Sequence, residues 1–181
     1  MAEHCPFLRD GKLDADGAQA ELERFLALLL KQARFALRYE FRRQAPGDAP
    51  AGVLDGEIGP ALTVVFQGED EDLLLAHHAE LMHSMEYVAQ RWLHLEPENA
   101  SLVRFDCADY RATRLEELRL TAKVAAQRVR ETRQPFRFHP MNSRERRAVH
   151  LALSGEPGVR TESDGFGPRR CVVIHPVAPD N

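Results

Sequence analysis

Between Met141 and His150 the chain reads Met-Asn-Ser-Arg-Glu-Arg-Arg-Ala-Val-His, a helix whose start is already specified. Asn142 is a strong N-cap residue. Glu145 stands three positions on, where its carboxylate reaches back to the cap's own N–H in a capping box. A helix that begins there puts Arg146 and His150 one turn apart on one face, with Val149, Ala152 and Leu153 forming an apolar stripe on another. A guanidinium beside an imidazole at a surface suits a phosphate oxygen. The segment from Gly155 to Gly158 closes the helix with a turn, and Val159 to Ser163 alternates as a strand. Asp164 to Pro168 reads as a hairpin connection. Arg169 to Ile174 reads as a second strand stopped by Pro176, with Arg169 and Arg170 pointing to opposite faces at its start.

This ordered set carries a resemblance. Arg146-x-x-x-His150, followed by Thr161, Ser163, Gly165, Pro168, Arg170 and Val172 to Ile174, resembles the R-three-H domain, a single-stranded nucleic-acid-binding module. The longer run from Asp106, Tyr110 and Arg111 through Pro140, Met141 and Asn142 to His150 is similar to the bacterial Jag proteins (also called KhpB or EloR). These couple a KH domain to an R-three-H domain. The resemblance implies an α+β protein: a tail (1–16), a KH-like domain of order α-β-β-α-α-β (17–108), and an R-three-H domain with a small mixed sheet and two helices (109–181). It further implies binding of single-stranded RNA or DNA, RNA first. Arg146 and Arg170 would meet phosphates, His150 would add a hydrogen bond, and Arg144, Arg147 and Arg169 would supply field. A small separate KH protein or a second copy is the implied protein partner, and control of cell elongation and division the implied setting.

Composition agrees with that division of labour. Residues 101–181 hold 15 Lys+Arg against 10 Asp+Glu, a net of +5, whereas residues 1–100 hold 9 against 18, a net of −9. Only the C-terminal part suits a polyanion. No apolar run approaches the length of a membrane span, and Met1 to Pro6 carries no basic-then-apolar signal segment. Cys5, Cys107 and Cys171 are far apart and odd in number, which argues against a zinc motif and for reduced thiols in the cytoplasm.

Along the chain, residues 1 to 15 read as a loose tail and Asp16 as the cap of a helix carrying Leu22, Phe25, Leu26, Leu29 and Leu30. Phe35, Leu37, Tyr39 and Phe41 alternate as a strand, residues 44–52 form a turn or flexible loop, and Leu62 to Phe66 is a more buried strand. Two helices, at Leu73 to Leu75 and Leu81 to Leu93, precede a third strand near Leu102 to Phe105. Between the paired helices a KH domain would place G-x-x-G, because glycine lets the backbone N–H groups approach phosphates. Here the positions read Ala76, His77, His78 and Ala79, among Glu69, Asp70, Glu71, Asp72 and Glu80. The expectation is a scaffold or protein-contact surface, with electrostatic substitution by protonated His77 and His78 as the alternative. Residues 109–133 form a long helix with Leu115, Leu118, Ala122, Ala125 and Val129 buried, and its arginines are either a solvated face or an extension of the basic track.

Each site residue also has a plainer reading. Arg146 can pair with Glu145, and His150 can be a half-buried structural histidine. Thr161 and Ser163 can donate to phosphate or simply line a solvent-facing strand. Trp92, near Tyr87 and Val88, reads as core, while Phe166 is either a base-stacking aromatic or a cover for the core. With His150 at its ordinary pKa of about 6.5, binding would tighten as pH falls from about 8 to about 6. No Gly-rich phosphate loop, serine elbow or HExxH is present, so neither catalysis nor a cofactor is expected. His77, His78 and His83 are unfavourably placed for a metal.

Overall fold

The computed structural model describes residues 5–9, 11–44, 54 and 59–177. The chain is α+β and divides into two compact units, residues 1–111 and 112–181, each with its own apolar core. The part of the loop expected at 44–52 that follows Gln44 lies outside the described residues.

In the first unit a small hairpin, β1 (Leu8–Arg9) with β2 (Lys12–Leu13), leads into α1 (Ala15–Ala33). The described part of the segment expected to be a loose tail, residues 5–9 and 11–15, therefore packs as part of this unit. Cys5 is buried and its thiol donates to the Leu93 carbonyl at 3.2 Å, while Phe7, Leu8 and Leu13 pack on the core. Strands of two residues are too short to show periodicity, which hid them in the sequence. The helix cap is Asp14 rather than Asp16: its carboxylate accepts the Gly17 N–H at 3.1 Å, leaving Asp16 in the first turn, where a negative charge meets the helix dipole favourably. Ala18, Leu22, Phe25, Leu26 and Leu30 form the buried stripe.

That stripe covers a three-stranded sheet of order β3–β4–β5. In β3 (Leu37–Arg43) Leu37, Tyr39 and Phe41 are half-buried and Arg38, Glu40 and Arg42 exposed. β4 (Leu62–Gly68) is the central strand and buries Leu62, Val64, Val65 and Phe66 on both faces. β5 (Val103–Cys107) runs parallel to it, with Val64 opposite Phe105. Parallel pairing needs a long crossover, and α2 (Glu71–Trp92) supplies it.

α2 is interrupted where G-x-x-G was sought. Ala76 is extended (φ −56°, ψ 150°), and His77, His78 and Ala79 are all left-handed, with φ of 51°, 61° and 58°. Left-handed backbone costs a residue with a Cβ about 1–2 kcal/mol, so surrounding structure must hold the break. Ala79 is fully buried, while Ala76, His77 and His78 are exposed. Two of the neighbouring acids also have structural work: Asp70 accepts the Ala36 N–H at 2.7 Å and Glu71 the Gly68 N–H at 2.8 Å. After the break, Trp92, expected in the core, is 45% exposed, and its neighbours Tyr87 and Val88 are 63% and 49% exposed. The buried face of the helix is taken instead by Met82, Met85 and Ala89. Where β5 ends, Glu86 accepts both the Phe105 N–H and Arg111 Nη2 at 2.6 Å, and Arg111 Nε donates to the Phe105 carbonyl at 2.8 Å.

The second unit takes most of α3 (Tyr110–Thr132), then β6 (Phe136–Arg137), α4 (Ser143–Ala152), β7 (Val159–Asp164) and β8 (Cys171–Pro176). Leu118, Ala122, Ala125, Ala126 and Val129 of α3 close its core with Phe138, Val149, Leu153, Val172 and Ile174. Its sheet, in the order β6–β8–β7, is antiparallel throughout rather than mixed. β7 and β8 are joined by a short hairpin, which permits only that direction; the mixed sheet belongs to the first unit. Among the described residues, no helix is long and apolar enough to cross a membrane.

Candidate nucleic-acid interface

The capping box at the start of α4 is present in both directions. Asn142 Oδ1 accepts the Glu145 N–H at 2.9 Å, and Glu145 Oε2 accepts the Asn142 N–H at 3.1 Å. The second carboxylate oxygen of Glu145, itself buried, receives Arg114 Nε from α3 at 2.9 Å. Glu145 therefore does not pair with Arg146. Arg114, read in the sequence as part of a basic face, is its partner from 31 residues away.

Arg146 is half-buried and donates through Nη1 to the Met141 carbonyl at 2.9 Å. The Met141 N–H in turn donates to the Arg170 carbonyl at 3.1 Å. The start of α4 is thus stitched to the connection between β7 and β8. In that connection Arg169 and Arg170 lie before the strand, around a 3-10 turn (Gly167–Arg169), and not on opposite faces of β8 as expected. Pro168 and the two glycines favour a tight turn over early pairing. Both arginines are exposed and, among the described residues, have no carboxylate partner. Arg147 is exposed at the helix surface, and Arg144, half-buried, lies in the first turn.

His150 is held by two hydroxyls from β7: Nδ1 lies 2.7 Å from Thr161 Oγ1 and Nε2 3.0 Å from Ser163 Oγ. The side chains two apart on a strand share a face, and this face turns toward α4. Ser163 was expected at a phosphate; its hydroxyl is engaged with the imidazole. Burial, and then the nearby Arg146 charge, push the His150 pKa below its usual value. A neutral ring suits the arrangement, one nitrogen donating to a hydroxyl and the other accepting.

The depressed pKa moves the expected pH response. Above about pH 6.5 both folded and unfolded His150 are neutral, so stability is flat there. Below it the unfolded chain takes up the proton first, and stability is lost as pH falls toward the lower folded value. Thermal unfolding of the wild type should therefore worsen below about pH 6.5, and His150→Gln should remove that component. Binding should not tighten between about pH 8 and about pH 7, contrary to what an unshifted imidazole gives.

The acids around this region are already committed. Asp164 pairs with Arg137, which holds its carboxyl below the usual range, and Glu162 pairs with Arg160 at 3.0 Å. The structure thus brings together Arg146, His150, Ser163 and the Arg170 backbone, with Thr161 and Met141 as the links. Ala76, His77, His78 and Ala79 belong to the other unit. Among the described residues, no group of three His, Cys, Asp or Glu side chains is placed to hold a metal ion.

Known proteins share this geometry's sequence. Residues 116–176 match the R-three-H domain. The chain is 32% identical to the RNA-binding protein KhpB of Clostridium symbiosum over 118 residues, covering 65% of this chain and 53% of that protein. It is 32% identical to RNA-binding protein KhpB of Bacillus subtilis (strain 168) over 136 residues, covering 72% and 65%. With RNA-binding protein KhpB of Streptococcus pneumoniae it shares 29% over 101 residues, covering 56% and 31%. The chain spans about half the length of the first of these relatives. Aligned stretches of 118 and 136 residues exceed the second unit, residues 112–181, so the similarity extends into the first. Arg146 and His150 thus lie inside an R-three-H match, and the similarity to the KhpB (Jag) relatives continues beyond that domain.

Proposed function

We propose that this protein binds single-stranded RNA, and single-stranded DNA by the same contacts, through residues 140–175. The observation that carries the reading is the stitch from Arg146 through Met141 to Arg170. It ties the positions of two guanidinium-bearing residues together with no carboxylate on either, among the described residues. Such groups donate to phosphate oxygens in any base context. Arg169, Arg147 and Arg144 add positive potential, and His150, neutral and clamped through both ring nitrogens by Thr161 and Ser163, positions the helix against the hairpin. The names of the relatives, RNA-binding proteins, support RNA as the ligand. The protein acts by binding, in the cytoplasm, without catalysis or cofactor.

With about four phosphates neutralised, the logarithm of affinity should fall against the logarithm of salt with a slope of roughly −3. Arg146→Ala should weaken binding and make that slope shallower by about 0.7. A variant that leaves both unchanged contradicts the assignment. In-cell crosslinking should yield RNA-bearing peptides from residues 140–175, and peptides from 70–95 alone would overturn it.

The first unit supports a KH-like module: helix, two antiparallel strands, two helices separated by the Ala76–Ala79 break, and a parallel third strand. Its left-handed loop keeps the turn of a phosphate-gripping hairpin but carries side chains where glycines would admit one. A second reading, that this unit contacts a protein, either a small KH protein or a second copy, is favoured by the exposure of Tyr87, Val88 and Trp92.

A further inference from the structure

The hairpin between β7 and β8 carries a large aromatic in an unusual position. Phe166 is 92% exposed, and the core of this unit is closed without it by Phe136 and Phe138, whose rings meet edge-on at 5.1 Å. A single exposed apolar residue needs no explanation by itself. What distinguishes this one is its frame. Gly165 has φ +89°, and a Cβ there would lie 3.0 Å from the Arg169 carbonyl oxygen, so only glycine makes the approach. The Gly165 N–H is held by Asp164 at 2.8 Å, and Asp164 is itself held by Arg137. On the other side the Phe166 carbonyl accepts the Arg169 N–H at 3.2 Å and the Gly167 carbonyl accepts the Arg170 N–H at 3.1 Å. Phe166 thus sits extended (φ −131°, ψ 149°) at the tip of a fixed turn. Just beyond it come Arg169 and Arg170, exposed and without a carboxylate among the described residues.

Aromatic rings interleaved with cations are how sequence-tolerant single-strand binders work. The cations follow the phosphates, and the ring takes the face of an unpaired base. We infer that Phe166 is a base-stacking platform, forming with Arg169 and Arg170 a subsite for one nucleotide of a single strand. This deepens the function proposed above and rests on it. It explains how a site made of phosphate contacts would prefer single strands: a duplex has phosphates to offer the arginines but no free base face for the ring.

The test is direct titration of the full chain with a short oligouridylate and with an abasic oligomer of equal phosphate number. Phe166→Ala should weaken oligouridylate binding about tenfold, within the range for one stacked base. The salt slope should stay as in the wild type, because no counterion contact is lost. The exposed ring supports no packing, so the thermal midpoint should also stay. Phe166→Trp should bind at least as tightly as wild type, and Phe166→Leu, apolar but without a π face, should match Ala. On the abasic oligomer, wild type and Phe166→Ala should bind alike. If Phe166→Ala binds oligouridylate as wild type does while Arg146→Ala weakens it, the stacking role is wrong and the phosphate site stands. If Leu restores what Ala loses, the ring makes a general apolar contact and the inference fails. If the wild type binds neither oligomer, the site reading falls and this one with it.

Discussion

Glu145→Ala should lower the stability of the second unit by about 3 kcal/mol, on the scale of breaking a largely buried ion pair. Two losses combine. The capping box loses the acceptor for the Asn142 N–H, which is worth about 1 kcal/mol. Arg114, whose side chain is only 18% exposed, loses the carboxylate at 2.9 Å. A fully buried pair broken on one side costs about 3–5 kcal/mol; here the residual exposure, and the Glu117 carboxylate 3.3 Å away, soften that. Glu145→Gln keeps an acceptor for the cap and loses the charge, so it should fall between. Arg114→Met added to Glu145→Ala should recover part of the loss, because it removes a largely buried charge that has lost its nearer carboxylate. Urea unfolding followed by the helical signal would measure all three. An Ala variant within about 0.5 kcal/mol of wild type would show that the pair contributes little.

Glu86→Ala should be about as damaging to the first unit, near ~3 kcal/mol by the same reasoning. One oxygen of Glu86 takes both the Phe105 N–H and Arg111 Nη2 at 2.6 Å, and the two side chains are 15% and 12% exposed. Its removal strands a backbone donor on β5 and a guanidinium at once. Trp92 is the sole tryptophan and lies in this unit, so its emission reports the transition. Glu86→Ala should shift that transition to lower urea, and Arg111→Met in the same chain should restore part of it. No shift would mean that water replaces the carboxylate freely.

Much of this architecture could be read from residue patterns. The alternation in β3, the apolar run of β4 and the stripe of α3 each follow a period that only one secondary structure satisfies. The Asn142–Glu145 box announces α4 because both partners are local. What could not be read was set by distance along the chain. Nothing near Arg114 points to an acid 31 positions later, and nothing near Cys5 points to the Leu93 carbonyl. The clamp on His150 was half legible: Thr161 and Ser163 share a face by strand period, but which face met α4 depended on packing. The exposure of Trp92 was hidden by its own chemistry, since a tryptophan beside a valine and a tyrosine reads as core whichever way the helix turns. The break in α2 was legible as two separate apolar runs, but with no glycine in it the left-handed turn itself was not.

The hydrogen bond from Met141 to Arg170 bears on how such a surface would be held. Because it fastens a helix entrance to a hairpin tip, neither can loosen without disturbing the other. The groups that would greet a ligand are therefore already arranged before it arrives. Little ordering entropy is then left to lose at contact, and a strand would meet a surface that is either wholly formed or wholly absent.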